Sequence, residues 1–402
     1  MKRRFNITGS CNWQQHYMVK LDDRLKRIQE DYVDEGCYFV INRGRQYGKT
    51  TTLKALAQYL KEEYIVLSMD FQRIGTEEFV NAETFAYAFA KEFLDAFPDA
   101  HPDGKTKDLL KSLEEFADDE KNRNLRELFV RLSKICADAE KPIVLMIDEV
   151  DSASNNQVFI DFLAQLRVYY LNRESRPIFH SVILAGVYDI KNLKLKIRPD
   201  EEHQYNSPWN IAADFDIDMS FSVKQIVSML EVYEADYHTG MDTNAVAEEI
   251  YQYTSGYPYL VSAICKIMDE KLPYKDSFAQ NHDIWTKEGV EEAVKLLLRS
   301  KTTLFDSMVK HIREYKDLKE LLYAILFQGE QVAYNQYNHT IALACMFGYV
   351  VDDGVYVQVA NRIFETCLYN WFLSEEELRR RQGTQSGRMW WWTISVNSLS
   401  WK

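Results

Sequence analysis

Residues Cys37-Tyr-Phe-Val-Ile-Asn-Arg43-Gly-Arg-Gln-Tyr-Gly48-Lys49-Thr50-Thr51 decide how the rest of the chain is read. Cys37–Ile41 is a short apolar run of β-branched and aromatic residues between Gly36 and Gly44, which predicts a buried strand. Thr50–Glu62 then places Leu53, Leu56, Ala57 and Leu60 on one helical face. Between strand and helix lies a loop ending in Gly-Lys-Thr, close to the Gly-x4-Gly-Lys-Ser/Thr pattern of a phosphate-binding loop. Its first glycine is replaced by Arg43, with Gly44 one position later.

The chemistry of such a loop needs these residue types. Gly48 lets the backbone turn beneath an anion without a Cβ clash. The backbone N–H groups of Gly44, Arg45, Gln46, Tyr47 and Gly48 and the helix start at Lys49, Thr50 and Thr51 supply a positive end for phosphates. Lys49 reaches the outer phosphates, and the Thr50 hydroxyl is a hard oxygen ligand for Mg²⁺. Arg43 restricts the turn, so the loop geometry is where departure from the pattern is expected.

About 100 residues further on, Ile143-Val-Leu-Met-Ile-Asp148-Glu149 is an apolar strand closed by two carboxylates. This is the second half of a nucleotide site. Asp148 is expected to hold Mg²⁺, and Glu149 to polarise the attacking water as general base. Two more apolar runs, Tyr64–Asp70 and Ser181–Ala185, alternate with helical patterns near 82–97, 107–138 and Phe159–Tyr170. Continuous apolar strands separated by helices predict an α/β fold with a parallel sheet covered on both faces.

The pattern changes near residue 220. Ser222-Val-Lys-Gln225 is a capping box that opens a helix, and helical stretches continue to about 330, broken by Ser255-Gly-Tyr-Pro258. Tyr349–Val359 reads as a hairpin turning at Asp353-Gly354. Helices followed by a hairpin predict a winged-helix module. The expected division is a nucleotide-binding domain over 1–220, a helical lid over 221–299, a winged helix over 300–375 and an end at 376–402. Residues 383–402 hold Trp390, Trp391, Trp392 and Trp401 but no Asp or Glu, and are expected to lie outside the folded unit, as a shifted or truncated reading frame would leave them.

Composition narrows the classes. The 402 residues carry 48 basic and 61 acidic side chains, a net charge of −13, which argues against a protein that coats nucleic acid. At 46% hydrophobic there is ample material for a core, and disorder is excluded. No apolar run approaches the ~20 residues of a membrane span, and no apolar segment follows the basic start, so a cytoplasmic location is expected. The six scattered cysteines form no CxxC pair, which reads as reduced thiols.

The Arg-Gln-Tyr-Gly-Lys-Thr-Thr loop, the Ile-Asp-Glu-Val-Asp strand end and Ser-Gly-Tyr-Pro-Tyr-Leu resemble bacterial AAA-ATPase-like proteins. These are relatives of the archaeal-type and STAND ATPases in the additional-strand, catalytic-glutamate class of P-loop ATPases. The resemblance spans roughly residues 5–375. It implies an inserted strand between the P-loop strand and its neighbour, a helical lid and a winged helix. It also implies ATP and Mg²⁺ as ligands, with Lys49, Thr50, Asp148 and Glu149 in the roles given above. In STAND-type proteins a Gly-x-Pro of the lid packs near the adenine. Pro258 of Gly256-Tyr-Pro258 matches it, although the same residues also suit a helix-breaking turn. Asn12–Tyr17 is placed to cover the adenine, His16 is not expected to be catalytic, and Trp209 is expected to fill the core. The strand ending Leu184-Ala185-Gly186 has no sensor side chain; Tyr188 and Asp189 are the nearest polar residues, and Arg198 is expected at the surface rather than as an arginine finger. Relatives often carry a nuclease domain, but its acidic and Asp/Glu-x-Lys motifs are not found beyond residue 375.

The leading expectation is an Mg²⁺-dependent ATP hydrolase whose turnover drives a conformational switch. Two others compete: a slow or non-hydrolysing switch that gates a protein partner or homo-oligomer, and a DNA-associated ATPase. For the last, Lys301, Lys310, Arg313, Lys316 and Lys319 are interleaved with Asp306, Glu314, Asp317 and Glu320, which reads as a solvated face.

Overall fold

The computed structural model describes residues 2–100, 106–119, 123–187, 209–278 and 284–382. Four parallel strands form the central sheet: β1 (Tyr38–Asn42), β2 (Ile65–Asp70), β3 (Ile143–Asp148) and β4 (Ser181–Gly186). Their order is β1-β4-β3-β2. The inserted strand implied by the family resemblance is therefore β4, lying between the P-loop strand and the strand of Asp148.

The apolar runs sit where a doubly covered sheet needs them. Side chains alternate between faces along a strand. Phe39, Ile41, Val144, Met146, Ile183 and Ala185 belong to one core, and Tyr38, Val40, Leu145, Ile147, Val182 and Leu184 to the other. The second core is aromatic, with Phe71, Phe85, Phe89, Phe93, Phe159 and Phe162 in a chain of ring contacts. Trp209 fills it as expected, fully buried with its ring 5.9 Å from that of Tyr38. Burying such a side chain contributes ~2–3 kcal/mol.

The first core runs without a break from the sheet into the C-terminal helices. Val223–Tyr237 opens on the expected capping box, with Ser222 and Gln225 bonding each other's backbone N–H. Thr243–Thr254, Pro258–Glu270 and Lys287–Arg299 complete the helical region. Helices Thr303–Glu314, Lys316–Tyr323 and His339–Met346 then lead to the antiparallel hairpin of β5 (Val350–Asp352) and β6 (Val357–Val359), and the long helix Arg362–Gln382 follows. Three helices followed by an antiparallel hairpin is the element order the pattern predicts over this stretch.

Two readings need correction. The stretch 107–138 is not one helix but two, Thr106–Asp118 and Leu125–Asp138; Asn124 caps the second by accepting the Glu127 N–H. The hairpin does not turn on Asp353-Gly354 alone. Asp352 pairs with Val357, which leaves a four-residue loop held by Asp353 Oδ1, the acceptor for the N–H groups of Val355 and Tyr356. Tyr188, Asp189, Arg198 and residues 383–402 lie outside the described residues.

Candidate functional site

Strands β1, β3 and β4 end side by side, so their C-terminal edge gathers the residues singled out in sequence. Asn42 closes β1, and Arg43 N–H donates to the Gly186 carbonyl at the end of β4. The loop then turns into the helix Lys49–Leu60. Gly48 is its N-cap at φ 82°, a left-handed conformation that suits glycine. The helix N-terminus thus faces the edge of the sheet, the arrangement that binds anions.

Lys49 is buried and donates from Nζ to the carbonyls of Arg43 (2.8 Å) and Gly44 (3.1 Å). Burial lowers its pKa, while Asp151, Glu149 and Asp148 favour its charged form. The Thr50 hydroxyl donates to Asp148 Oδ2 at 2.6 Å. Asp148 Oδ1 accepts the Glu149 N–H at 2.9 Å. Burial, then Asp148, raises the Glu149 pKa. The two sequence halves therefore meet.

Arg43, the departure from the generic loop, turns away from the anion position. Its guanidinium donates to the carbonyls of Asn42, Phe215 and Ile217 at 3.0–3.1 Å and lies 5.4 Å from the Phe215 ring centre. It ties the start of the loop to the strap that leads into the helical region. Arg24, on the helix Asp22–Ile28, holds that helix to the same strap by donating to the Met219 carbonyl at 2.9 Å.

A cavity of about 300 Å³ opens over the loop and is lined by Gln46, Tyr47, Gly48, Lys49, Thr50, Thr51 and Glu149. Apolar and aromatic lining comes from Met18, Val19, Leu21, Phe221, Pro258 and Tyr259. Pro258 is the first residue of the helix Pro258–Glu270 and lines the same cavity. The N-terminal segment is held across the cavity by Cys11, whose N–H donates to Thr51 Oγ1 at 3.0 Å, and by Lys54 on Ser10. From this segment Asn6, Ile7, Gly9, Ser10 and Cys11 line the cavity, whereas Asn12–Tyr17 do not. His16 is a turn residue, its Nδ1 accepting the Asn12 N–H.

Sequence reasoning missed the contacts that the loop makes with the two C-terminal units. Tyr257 is buried, donates its hydroxyl to the Arg45 carbonyl and meets Tyr47 edge-on at 4.6 Å. Gln46 Nε2 donates to Thr303 Oγ1 at 3.1 Å, at the start of the helix Thr303–Glu314. Gly44 lies against Phe347: a Cβ there would stand 2.6 Å from the Phe347 carbonyl oxygen. The signal available was a glycine at a loop position where none of the phosphate chemistry requires one.

Four of the five cations considered for DNA lie beside a carboxylate or an aromatic ring. Lys301 faces Asp306 at 4.0 Å, Arg313 faces Glu375 and Lys316 faces Glu320 at 3.4 Å, and Lys319 lies over the Trp371 ring. Among the described residues no helix is long and apolar enough to cross a membrane.

A family model for an AAA-like domain matches residues 8–338. Among solved structures, the chain is similar to the Walker-type ATPase of Pyrococcus abyssi, with 13% identity over 91% of this chain and 99% of that one and a TM-score of 0.57. The ORC2 protein of Aeropyrum pernix, in ADPNP–ADP complexes, shares 12% identity over 91% and 96% of the two chains, with a TM-score of 0.41. The RuvB Holliday junction branch migration motor of Thermotoga maritima shares 12% over 87% and 94%, with a TM-score of 0.41. The first likeness concerns the fold alone, and the lower scores of the others add nothing to it. No curated protein matches the chain.

Proposed function

The chain belongs to the AAA-like domain family, and we propose that it binds and hydrolyses ATP at the edge of its sheet and uses the nucleotide to move a lid and a winged helix. The observation that carries this reading is the hydrogen bond of Thr50 to Asp148, which joins the two halves of the site. Gly44 to Thr51 would cradle the phosphates, with Lys49 as their cation. Met18, Val19, Pro258 and Tyr259 would flank the base. Thr50 and Asp148 offer two hard oxygens 2.6 Å apart, a fit for Mg²⁺. No group of three or more His, Cys, Asp or Glu able to hold a metal occurs among the described residues, so phosphate oxygens and water would complete its shell. Bound there, Mg²⁺ would neutralise charge developing on the outer phosphates.

Glu149 lines the cavity, and its raised pKa makes it a better proton acceptor. It would take a proton from the water that attacks the γ-phosphate. The switch reading rests on Gln46, Gly44 and Arg45, which touch Thr303, Phe347 and Tyr257. Nucleotide drawing the loop around its phosphates would strain or relax those contacts. On this reading 1–220 is the ATPase domain, 221–299 the lid and 300–375 the winged helix, and the moving parts address a protein partner or a second copy. The paired cations of the winged helix give DNA less support.

The test is a phosphate-release assay with Mg²⁺ and ATP on the purified chain, alongside nucleotide titrations. Lys49→Ala should lose turnover and most affinity. Glu149→Gln should bind ATP like the parent and hydrolyse it at least ~100-fold more slowly. Retained nucleotide with negligible release by the parent would favour the non-hydrolysing switch instead.

A further inference from the structure

Strand β4 brings no polar side chain to the edge where the site lies: it ends in Leu184-Ala185-Gly186. A polar group reaches that position from β3 instead. Asp151, three residues beyond the end of β3, turns its carboxylate onto the end of β4, and Oδ2 accepts the Val187 N–H at 2.6 Å. Gly186 makes the room. A Cβ there would lie 2.8 Å from Asp151 Oδ1 and 2.9 Å from Val150 Cγ2. The Gly186 carbonyl in turn accepts the N–H of Arg43, the first residue of the phosphate loop. One carboxylate thus links the β3 turn, the end of β4 and the start of the loop.

Glu149 sits inside this linkage in an unusual backbone state, φ 54° and ψ 39°. A residue with a Cβ costs roughly 1–2 kcal/mol in that left-handed region, so its neighbours must hold it there. Upstream, Asp148 Oδ1 accepts its N–H. Downstream, its carbonyl accepts from Ser152 N–H and hydroxyl at 3.1 and 2.9 Å, within the short turn that Asp151 anchors to β4.

We propose that Asp151 is a positioning residue for Glu149: by accepting the Val187 N–H it fixes the left-handed turn that presents the Glu149 carboxylate to the cavity. The end of strand β4 thereby acts on the reaction through the Val187 backbone amide. The inference rests on the reading of Glu149 as the general base. It concerns acceptor geometry, not charge. An asparagine side-chain oxygen at 151 can still accept the Val187 N–H, whereas alanine cannot.

The experiment measures turnover and the dissociation constant of a fluorescent ATP analogue for the parent, E149Q, D151A, D151N and G186A. D151A should turn over 10–100-fold more slowly with the dissociation constant within threefold of the parent, a loss in kcat and not in binding. D151N should recover to within fivefold of the parent. G186A, which drives a methyl group into the space of the Asp151 carboxylate, should reproduce D151A. D151A turning over within threefold of the parent, or D151N no faster than D151A, overturns the assignment. If D151A does not fold, G186A decides: parent-like turnover overturns the proposal, and slow turnover with retained binding supports it. A parent whose turnover is insensitive to E149Q overturns the base reading, and this inference with it.

Discussion

Thr50 and Asp148, 98 residues apart in sequence, share a 2.6 Å hydrogen bond at the C-terminal edge of the sheet. The bond needs β1 and β3 to be held in one register by β4 between them, and it sets two oxygens where a phosphate-bound cation would sit. Replacing Thr50 by Val keeps the shape and removes the hydroxyl. Asp148 retains the Glu149 N–H, so stability should fall by only about 1 kcal/mol. The functional effect should be larger. Mg²⁺ should tighten ATP-analogue binding to the parent but not to T50V, and turnover should drop at least ~10-fold. Titrations with Mg²⁺ and with EDTA check this, and an unchanged Mg²⁺ effect would remove Thr50 from the metal site.

Arg43 gives a prediction opposite to the one sequence pattern suggests. Restoring the generic glycine there should not improve the loop. Arg43→Gly deletes a guanidinium that donates to three carbonyls, two of them on the strap at Phe215 and Ile217. Charged donors to backbone carbonyls contribute ~1.5–3 kcal/mol, and glycine adds unfolded-state freedom. Denaturant unfolding should show a loss of about 2–4 kcal/mol, with nucleotide affinity changed only a few-fold. A neutral or stabilising R43G would mean the strap is not anchored there.

The elements that positioned the site were legible because they are local. Strand β1, the helix at Lys49, β3 with Asp148 and the capping box at Ser222 each announce themselves within a dozen residues, through apolar periodicity or a cap. What stayed hidden depends on residues far apart. Gln46 meets Thr303 across 257 positions, and Tyr257 meets Arg45 across 212. No local rule reports such pairs. Arg43 and Asp151 were misjudged or passed over for the same reason. Their chemistry was visible, but their partners, Phe215, Ile217 and Val187, are backbone groups that carry no side-chain signature.

His311 links stability to pH. It is buried on the helix Thr303–Glu314, stacked on Phe347 at 3.9 Å with Nδ1 2.8 Å from the Tyr349 hydroxyl. Burial, reinforced by Arg45 and Lys310 and opposed by Glu314, pushes its pKa down from 6.5 to about 4. The folded state therefore holds this imidazole neutral while the unfolded chain takes up a proton. Its contribution is complete above pH 6.5 and is lost as pH falls from there toward 4. Linkage gives a loss of about 2 kcal/mol at pH 5. Unfolding at pH 7 and pH 5 should show that loss in the parent and not in His311→Gln; equal losses in both would place the acid sensitivity elsewhere.

Tyr257 joins the loop to the C-terminal helices. Its hydroxyl donates to the Arg45 carbonyl, its ring meets Tyr47 at 4.6 Å and Phe364 at 5.2 Å, and the residue is buried. Tyr257→Phe removes only the hydroxyl and leaves a carbonyl of the loop without that donor, a cost of ~1–2 kcal/mol. If nucleotide acts on the C-terminal units through the loop backbone, the variant should bind the ATP analogue within a few-fold of the parent yet respond less. The measurement is hydrogen exchange over Thr303–Glu314 and Phe347–Tyr349 with and without nucleotide. The parent should change its protection in both segments on binding, and Y257F should show less than half of that change. Equal responses would mean that the signal, if nucleotide sends one, travels through Gln46 and Thr303 or through Gly44 and Phe347 rather than through this tyrosine.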